Sequence, residues 1–156
     1  LLDLPASPHL SAEAEGVEIS MDALVLPQVD GVLVAEGAGG LMVPLNRRDL
    51  YIDLFARWGA PVVLCARTQL GTINHTLLSL KALRDWGCPV AGVAFIGDPE
   101  PEVEETICAF GKAARLGRLP WIEELKAAAG PAGQEELAEA FAEHIDLDPV
   151  REALAP

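Results

Sequence analysis

The chain has 156 residues, of which 51% are hydrophobic and only 5% aromatic, and its formal net charge is −13 at pH 7. So acidic a chain has few of the lysines and arginines that neutralise phosphate backbones, which argues against nucleic acid as a partner. No apolar run approaches the roughly 18 residues that a membrane span requires, and the three cysteines, without any CxxC spacing, are typical of reduced thiols in a cytoplasmic protein.

The sequence predicts strands and helices that alternate along the chain. Four runs, the first three largely apolar, predict strands covered on both faces: residues 32–35, 61–66, 90–96 and 116–119. Apolar residues at helical spacing predict helices at residues 8–15, 21–26, 47–58, 72–86 and 102–112, and from residue 122 onward with a break at 130–133. We therefore expect one α/β domain over residues 1–156, with a mostly parallel sheet and helices on both faces.

The most informative stretch is VLVAEGAGGLMVPL, residues 32–45. Its predicted strand ends on Glu36, and parallel sheets bind ligands beyond the carboxyl ends of their strands. An acid at such a strand end is a pattern by which phosphate-handling enzymes hold Mg²⁺ beside a triphosphate. The turn Gly37-Ala38-Gly39 allows close approach of backbone to a phosphate. The alternative is an ordinary flexible turn that leaves Glu36 in solvent.

A triphosphate site also requires a Walker A loop, and the chain contains none. Its only Gly-Lys pair, Gly111-Lys112, is followed by alanine instead of serine or threonine. The chain begins at Leu1, and its first methionine is Met21. We therefore expect the phosphate loop and its lysines to lie upstream of Leu1, and we assign no catalytic residue within the chain.

A second candidate site lies in PVVLCARTQLGTINHTLLSL, residues 61–80. A predicted strand leads through a turn at Gly71 into a helix that begins at Thr72. The amides of a helix start attract anions, and Asn74 in the first turn adds a side-chain amide that can orient a carboxylate. A plain threonine-capped helix with a half-exposed His75 is the alternative.

These stretches together resemble the dethiobiotin synthetases, ATP-dependent enzymes of biotin biosynthesis. The matching pieces stand in family order over nearly the whole chain: Ser7-Pro8-His9 with Glu15-Gly16, Glu36–Gly40 with Pro44-Leu45, Leu70–His75, Gly92, and Leu116–Trp121. The resemblance implies a P-loop NTPase-like fold whose opening strand, Walker A loop and lysine segment precede this chain.

The resemblance also implies roles for individual residues. Glu36 would bind Mg²⁺. The nucleotide ATP would be bound by residues of three segments: Glu36, Gly37, Ala38, Gly39, Ile96, Gly97, Pro120, Trp121 and Ile122. The carboxylate of 7,8-diaminopelargonate would be received, across a homodimer interface with a shared active site, by the helix start: Gly71, Thr72, Ile73 and Asn74.

One position departs from the family pattern. The family often has an asparagine that reads the adenine edge, and this chain has Ile96 there, whose side chain cannot hydrogen-bond a base. Base selection is then either weak or falls to backbone groups of residues 96–98.

The implied reaction requires no protein nucleophile. An amine of the substrate captures CO₂ as a carbamate, ATP phosphorylates the carbamate, and the second amine expels phosphate to close the ring. The protein contributes positioning and charge neutralisation.

Two other functions remain open. A related P-loop ATPase of the partitioning or cobyrinate-amidating type would explain the Glu-Gly turn, but not residues 70–75. A non-catalytic module that dimerises or binds an anion would explain the missing Walker A loop.

Overall fold

A computed structural model describes residues 2–121 and 131–155, and the chain divides into two compact units. The first unit comprises Leu1–Ala60 and Asp85–Cys88, and the second comprises Pro61–Arg84 and Pro89–Pro156. The expectation of a single domain over the whole chain stays a prediction.

The first unit contains α1 (Pro8–Ala14), a 3-10 helix (Met21–Ala23) and α2 (Tyr51–Trp58), at the predicted places. The helix α2 begins four residues later than predicted, because the side-chain Oδ1 of Asn46 accepts the N–H groups of Arg48 and Asp49 and holds those residues in a turn. It ends as predicted at Gly59, which adopts a left-handed conformation with φ of 63°.

The predicted strand at residues 32–35 is wrong. This segment has no regular secondary structure, and its side chains are exposed, with 77% of Val32 and 87% of Val34 accessible to solvent. A strand needs a neighbour that satisfies its backbone N–H and C=O groups, and none of the residues in the described ranges pairs with this segment. Glu36 therefore does not lie at the end of a strand in this structure.

The second unit is built on three parallel strands in the order β1-β2-β3, namely β1 (Val62–Arg67), β2 (Val90–Ile96) and β3 (Arg115–Leu119). Helix α3 (Thr72–Asp85) connects β1 to β2, and α4 (Pro101–Gly111) connects β2 to β3. Two further helices follow, α5 (Pro131–His144) and α6 (Asp148–Leu154). None of the helices in the described ranges is both long and apolar enough to cross a membrane.

These strands and helices confirm the predicted α/β class, and a further local difference concerns the start of α5. The break predicted at residues 130–133 falls partly inside α5, which begins at Pro131. Proline suits the first turn of a helix because the N–H that it lacks has no intrahelical partner there. The helix predicted from residue 122 lies, up to residue 130, outside the described residues.

Alternate residues of β2 point to opposite faces of the sheet, and each face is covered by helices. Val93 and Phe95 pack with Leu80 of α3 and Ile107 of α4. On the other face Ala94 packs with two buried residues, Leu116 and Ile145, against which Phe141 of α5 and Val150 of α6 also pack. Helices therefore lie on both faces, as predicted.

Candidate functional site

The carboxyl ends of the three strands lie side by side in the second unit. Ile96 at the end of β2 is in register with Arg67 of β1 and Leu119 of β3. The N–H of Thr68 donates to the carbonyl of Ile96, and the N–H of Gly97 donates to the carbonyl of Leu119, both at 3.0 Å. This edge is where parallel sheets bind ligands, and it places the predicted base-binding residues 96–97 beside residues 119–121.

A cleft of about 430 Å³ lies between the end of β1 and the start of α3. Gly71 and Thr72, two of the four predicted carboxylate-binding residues, line it, together with Arg67, Gln69 and His75. We did not predict Arg67 as a site residue, although its position at the end of a predicted strand is the same signal that singled out Glu36. Arg67 adds a residue with a permanent positive charge to the lining of the cleft.

The start of α3 differs in detail from the prediction. Thr72 is the first helical residue, and its N–H donates to the carbonyl of Gln69 at 3.0 Å, so this amide is not available to a ligand. Its hydroxyl lies 3.3 Å from that of Thr76. The exposed residues Ile73 and Asn74 follow in the first turn, where backbone amides point out of the helix.

The loop after β2 is held by backbone hydrogen bonds and by one arginine. Gly97 has φ of 124°, and a Cβ atom there would lie 2.6 Å from the hydroxyl oxygen of Thr68, so only glycine fits. Its carbonyl accepts a hydrogen bond from Nη1 of Arg118 at 2.9 Å. The carbonyl of Ile96 and both backbone groups of Gly97 thus already have partners inside the protein.

The segment after β3 was predicted to line the adenine pocket. Pro120 is half-buried, and Trp121 is 52% exposed beside the carboxyl end of β3. An exposed indole offers a flat apolar surface on which a base can stack. The third predicted residue of this group, Ile122, lies outside the described residues.

The glycine turn belongs to the first unit, and its glycines are required by packing and conformation. A Cβ atom at Gly37 would lie 2.7 Å from Cζ of Phe55, and Gly39 has φ of 101°. Glu36 and Ala38 are exposed. The structure therefore gives a local reason for these glycines, in addition to the close approach to phosphate that the sequence predicted.

The loop after the turn binds the start of α2. The first amides of that helix, those of Tyr51 and Ile52, donate to the carbonyls of Val43 and Leu41 at 3.0 and 2.9 Å. The first backbone N–H groups of α2, beside the glycine turn, therefore already have acceptors and are not available to a phosphate.

Comparison with known proteins agrees with the resemblance that the sequence motifs indicated. A protein-family model described as an AAA domain matches residues 1–129. The ATP-dependent dethiobiotin synthetase BioD of Rhodopseudomonas palustris strain BisB18 is 63% identical over 124 residues, which are 80% of this chain and 59% of that protein. The enzyme of the same name from strain HaA2 is 58% identical over 147 residues, 94% of this chain and 66% of the relative, and that from Brucella anthropi is 55% identical over the same shares.

The chain belongs to the dethiobiotin synthetase family. It spans about three fifths to two thirds of the length of these curated relatives, between 59% and 66%. The AAA-domain match and the parallel sheet agree with the P-loop NTPase-like fold that the sequence predicted.

The resemblance stated in the sequence analysis implies that Glu36 binds Mg²⁺, and the donor groups of the described residues can be compared with that expectation. Within residues 2–121 and 131–155, no three His, Cys, Asp or Glu side chains cluster closely enough to hold a metal ion by themselves. Mg²⁺ in phosphate-handling sites is held by one or two carboxylates, water and substrate phosphates, so it does not need such a cluster. The exposed carboxylate of Glu36 fits the role of one such ligand.

The family motif Ser7-Pro8-His9 lies at the start of α1, beside a second cleft of about 350 Å³. His9 lines this cleft, and its buried Nδ1 has no hydrogen-bond partner among the described residues. Glu13 and Arg47 form an exposed ion pair on the rim, and the hydrogen bond from Arg47 lowers the pKa of the Glu13 carboxyl.

Proposed function

We propose that the protein is an ATP- and Mg²⁺-dependent dethiobiotin synthetase, a ligase that converts 7,8-diaminopelargonate and CO₂ to dethiobiotin with release of ADP and phosphate. The observation that supports this proposal is the cleft at the end of β1, which Arg67, Gly71 and Thr72 line, in a chain 58% identical over 147 residues to a dethiobiotin synthetase.

The cleft suits the carboxylate tail of the substrate. Arg67 provides a charged donor, and the amides of Ile73 and Asn74 lie in the first turn of α3, where the helix dipole favours negative charge. The side-chain amide of Asn74 adds a further donor. A hydrogen bond to an ionised carboxylate is about twice as strong as one between neutral groups, so this set can hold one end of a long flexible substrate.

The other predicted site residues are assigned to the nucleotide. Glu36 would hold Mg²⁺, which neutralises charge on the transferred phosphoryl group when it is bound. The turn of Gly37, Ala38 and Gly39 would lie against the phosphates. The base would be bound by the ends of β2 and β3, that is by Ile96, Gly97, Pro120, Trp121 and Ile122. The 156 residues contain no Walker A motif, so no phosphate-binding lysine is assigned among them.

The reaction proceeds by positioning, without a covalent enzyme intermediate. One substrate amine attacks CO₂ and loses a proton to give a carbamate, and a carbamate oxygen then attacks the γ-phosphorus of ATP and expels ADP. The second amine attacks the carbamoyl carbon, phosphate leaves, and a further proton passes to solvent as the cyclic urea closes. The protein holds the diamine by its carboxylate so that both amines face the nucleotide.

The proposal includes a homodimer in the cytoplasm, in which the start of α3 receives the substrate bound to the partner subunit. The exposure of Ile73 and Asn74 agrees with such an arrangement. Light scattering of the purified protein should give twice the mass of one subunit.

The direct test is an assay of the purified protein with 7,8-diaminopelargonate, bicarbonate and Mg·ATP, with dethiobiotin measured by mass spectrometry. One dethiobiotin should form for each phosphate released. ATP hydrolysis that does not depend on the diamine would favour the related ATPase, and failure to bind any nucleotide would favour the non-catalytic module. The intact mass of the purified protein, measured by mass spectrometry, shows which polypeptide is present in the assay.

A further inference from the structure

We propose that Phe55 is a positioning residue for Glu36, because its aromatic ring packs against Gly37 and fixes the backbone of the glycine turn. The inference rests on the proposed function, since it concerns the carboxylate that is assigned there to Mg²⁺. Phe55 lies on α2, far from the turn in sequence, and it does not touch the ion itself.

The first step is the contact between the ring and the turn. A Cβ atom at Gly37 would lie 2.7 Å from Cζ of Phe55 and 3.6 Å from each of its two Cε atoms. The tip of the ring therefore points at Gly37. Carbon atoms in favourable contact are about 3.5–4.0 Å apart, so the ring leaves room at this position for a glycine and for no side chain.

The second step is the immobilisation of the ring. The ring centroids of Tyr51 and Trp58, which flank Phe55 on α2, each lie 5.8 Å from its own centroid. The indole N–H of Trp58 in turn donates to the carbonyl of Leu24 at 2.8 Å. Aromatic pairs at this separation attract each other. The ring of Phe55 is thus held by a neighbour on either side along the helix.

The third step is the attachment of the other end of the turn to the same helix. A Cβ atom at Gly39 would lie 3.1 Å from Cγ2 of Val43. The carbonyl of Val43 accepts the N–H of Tyr51, which is the first residue of α2, at 3.0 Å. Both ends of the glycine turn therefore depend on α2, one through the side chain of Phe55 and one through Val43.

The position of the turn matters for a metal because Glu36 directly precedes Gly37, and its side chain is exposed. Mg²⁺ demands near-ideal octahedral geometry with ligands at about 2.0–2.1 Å. A carboxylate on a displaced or mobile backbone meets that demand poorly. Loss of a residue that orients a metal ligand typically lowers the metal affinity by about 10–100-fold, and we expect an effect at the lower end of this range for Phe55.

Phe55→Tyr tests the contact while the aromatic stack is kept. The variant adds a hydroxyl to Cζ, the ring atom nearest to Gly37, so it should displace the turn. Mn²⁺ serves as the probe for Mg²⁺, and its binding in the presence of ATP is measured by electron paramagnetic resonance. Phe55→Tyr should weaken this binding by about tenfold.

Tyr51→Phe is the matched control for Phe55→Tyr. It removes a hydroxyl from the neighbouring ring of the same stack, and it leaves the tip of the Phe55 ring unchanged. This variant should bind Mn²⁺ within about twofold of wild type.

An exchange of size between Gly37 and Phe55 provides the second test. The φ of Gly37 lies outside the left-handed region, so an alanine there meets the ring and no backbone strain. Gly37→Ala creates a clash and Phe55→Leu creates a gap, and each should weaken Mn²⁺ binding by about tenfold. In the double variant the new methyl group occupies the space that the ring has left. Its affinity should return to within about threefold of wild type, because the two positions are coupled.

A kinetic comparison separates positioning from a general loss of structure. Phe55→Tyr should raise the Mg²⁺ concentration needed for half-maximal rate, while the KM for 7,8-diaminopelargonate, which is assigned to the start of α3, stays within about twofold of wild type. An equal increase in both constants would indicate a merely structural role and would overturn the inference.

Three binding results would also overturn the inference and leave the proposed function standing. These are wild-type Mn²⁺ affinity in Phe55→Tyr, an equal loss in Tyr51→Phe, and losses that add up in the double variant instead of cancelling. A wild-type protein that binds no Mn²⁺ in the presence of ATP would overturn the proposed function, and the inference with it.

Discussion

Trp86 donates its indole N–H to Oδ1 of Asp53 at 2.8 Å, while Oδ2 of the same carboxylate accepts the N–H of Leu50, also at 2.8 Å. Asp53 stands in the first turn of α2, where a carboxylate also interacts favourably with the helix dipole. One side chain therefore caps a helix and fixes segment 85–88 within the first unit.

Replacement of Asp53 by alanine should lower the free energy of unfolding by about 1–3 kcal/mol, because a helix cap and a charged hydrogen bond are both lost. Urea titration followed by tryptophan fluorescence measures the change. The control is Asp30→Ala, which removes an exposed carboxylate of the same unit and should change stability by less than about 0.5 kcal/mol. Equal stability of the two variants would contradict the proposed role of Asp53.

Gly92→Ala should destabilise the protein by about 1–3 kcal/mol through overpacking. A Cβ atom there would lie 2.6 Å from Cδ2 of Leu116 and 2.8 Å from the carbonyl oxygen of Ala114, which belongs to the backbone and cannot rotate away. Gly40→Ala is the matched control, since a Cβ atom at that position meets nothing within 4 Å. Thermal unfolding of both variants checks the prediction, and a Gly92→Ala protein as stable as wild type would show that β3 shifts freely.

Glu36→Gln should reduce kcat/KM for dethiobiotin formation by about tenfold to a hundredfold, because a neutral amide is a poor Mg²⁺ ligand. The variant should also need a higher Mg²⁺ concentration to reach its half-maximal rate. The fold should not change, since Glu36 is exposed and contributes little packing. A Mg²⁺ titration of the rate, with Asp30→Asn as control, measures the effect. Wild-type kinetics in Glu36→Gln would refute the metal role.

Asn74→Ala should raise the KM for 7,8-diaminopelargonate more than the KM for ATP, since the lost side-chain amide is assigned to the substrate carboxylate. Arg67→Gln should act in the same direction and more strongly, because it removes a full charge from the cleft. Initial rates with each substrate varied in turn separate the two constants. An increase confined to the KM for ATP would contradict the carboxylate assignment for either residue.

Stability should fall at alkaline pH in a way that depends on two thiols. Burial raises the pKa of Cys88 and of Cys108 above the ordinary value of 9.0, and for Cys108 the nearby Glu104 carboxylate acts in the same direction while Arg115 opposes it. The folded state then keeps protons that the unfolded state releases. The free energy of unfolding is therefore unaffected below about pH 9 and decreases as the pH rises through and above that value.

Urea titrations of the reduced protein at pH 8 and pH 10 measure this dependence. The double variant Cys88→Ala and Cys108→Ala should lose less stability between the two pH values than wild type does. Exposed Cys65 provides the comparison, because Cys65→Ala should leave the pH dependence unchanged. An identical loss in wild type and in the double variant would show that other groups are responsible.

The sequence predicted most of the second unit because its elements depend on local patterns. The strand at residues 90–96 agrees with β2, and helices α3 and α4 agree with their predicted bounds to within about one residue, since their apolar spacing and their terminal glycines and prolines act over a few neighbouring residues. The strand at residues 32–35 was predicted by the same signal and did not form, because an apolar run shows that a strand is possible and says nothing of its partner.

The amino-acid sequence by itself determined the α/β class, the family and the helix start at residues 71–74, because these depend on residue order and short-range spacing. Only the tertiary structure decided which polar groups already have partners. It showed that the amides at the start of α2 and the backbone of residues 96–97 are satisfied, and it brought Arg67 to the cleft and Arg118 to the loop of Gly97. The hydrogen bonds that fix residues 96–97 join residues 21 or more positions apart, so they depend on how the strands assemble into a sheet, which no local pattern along the chain specifies.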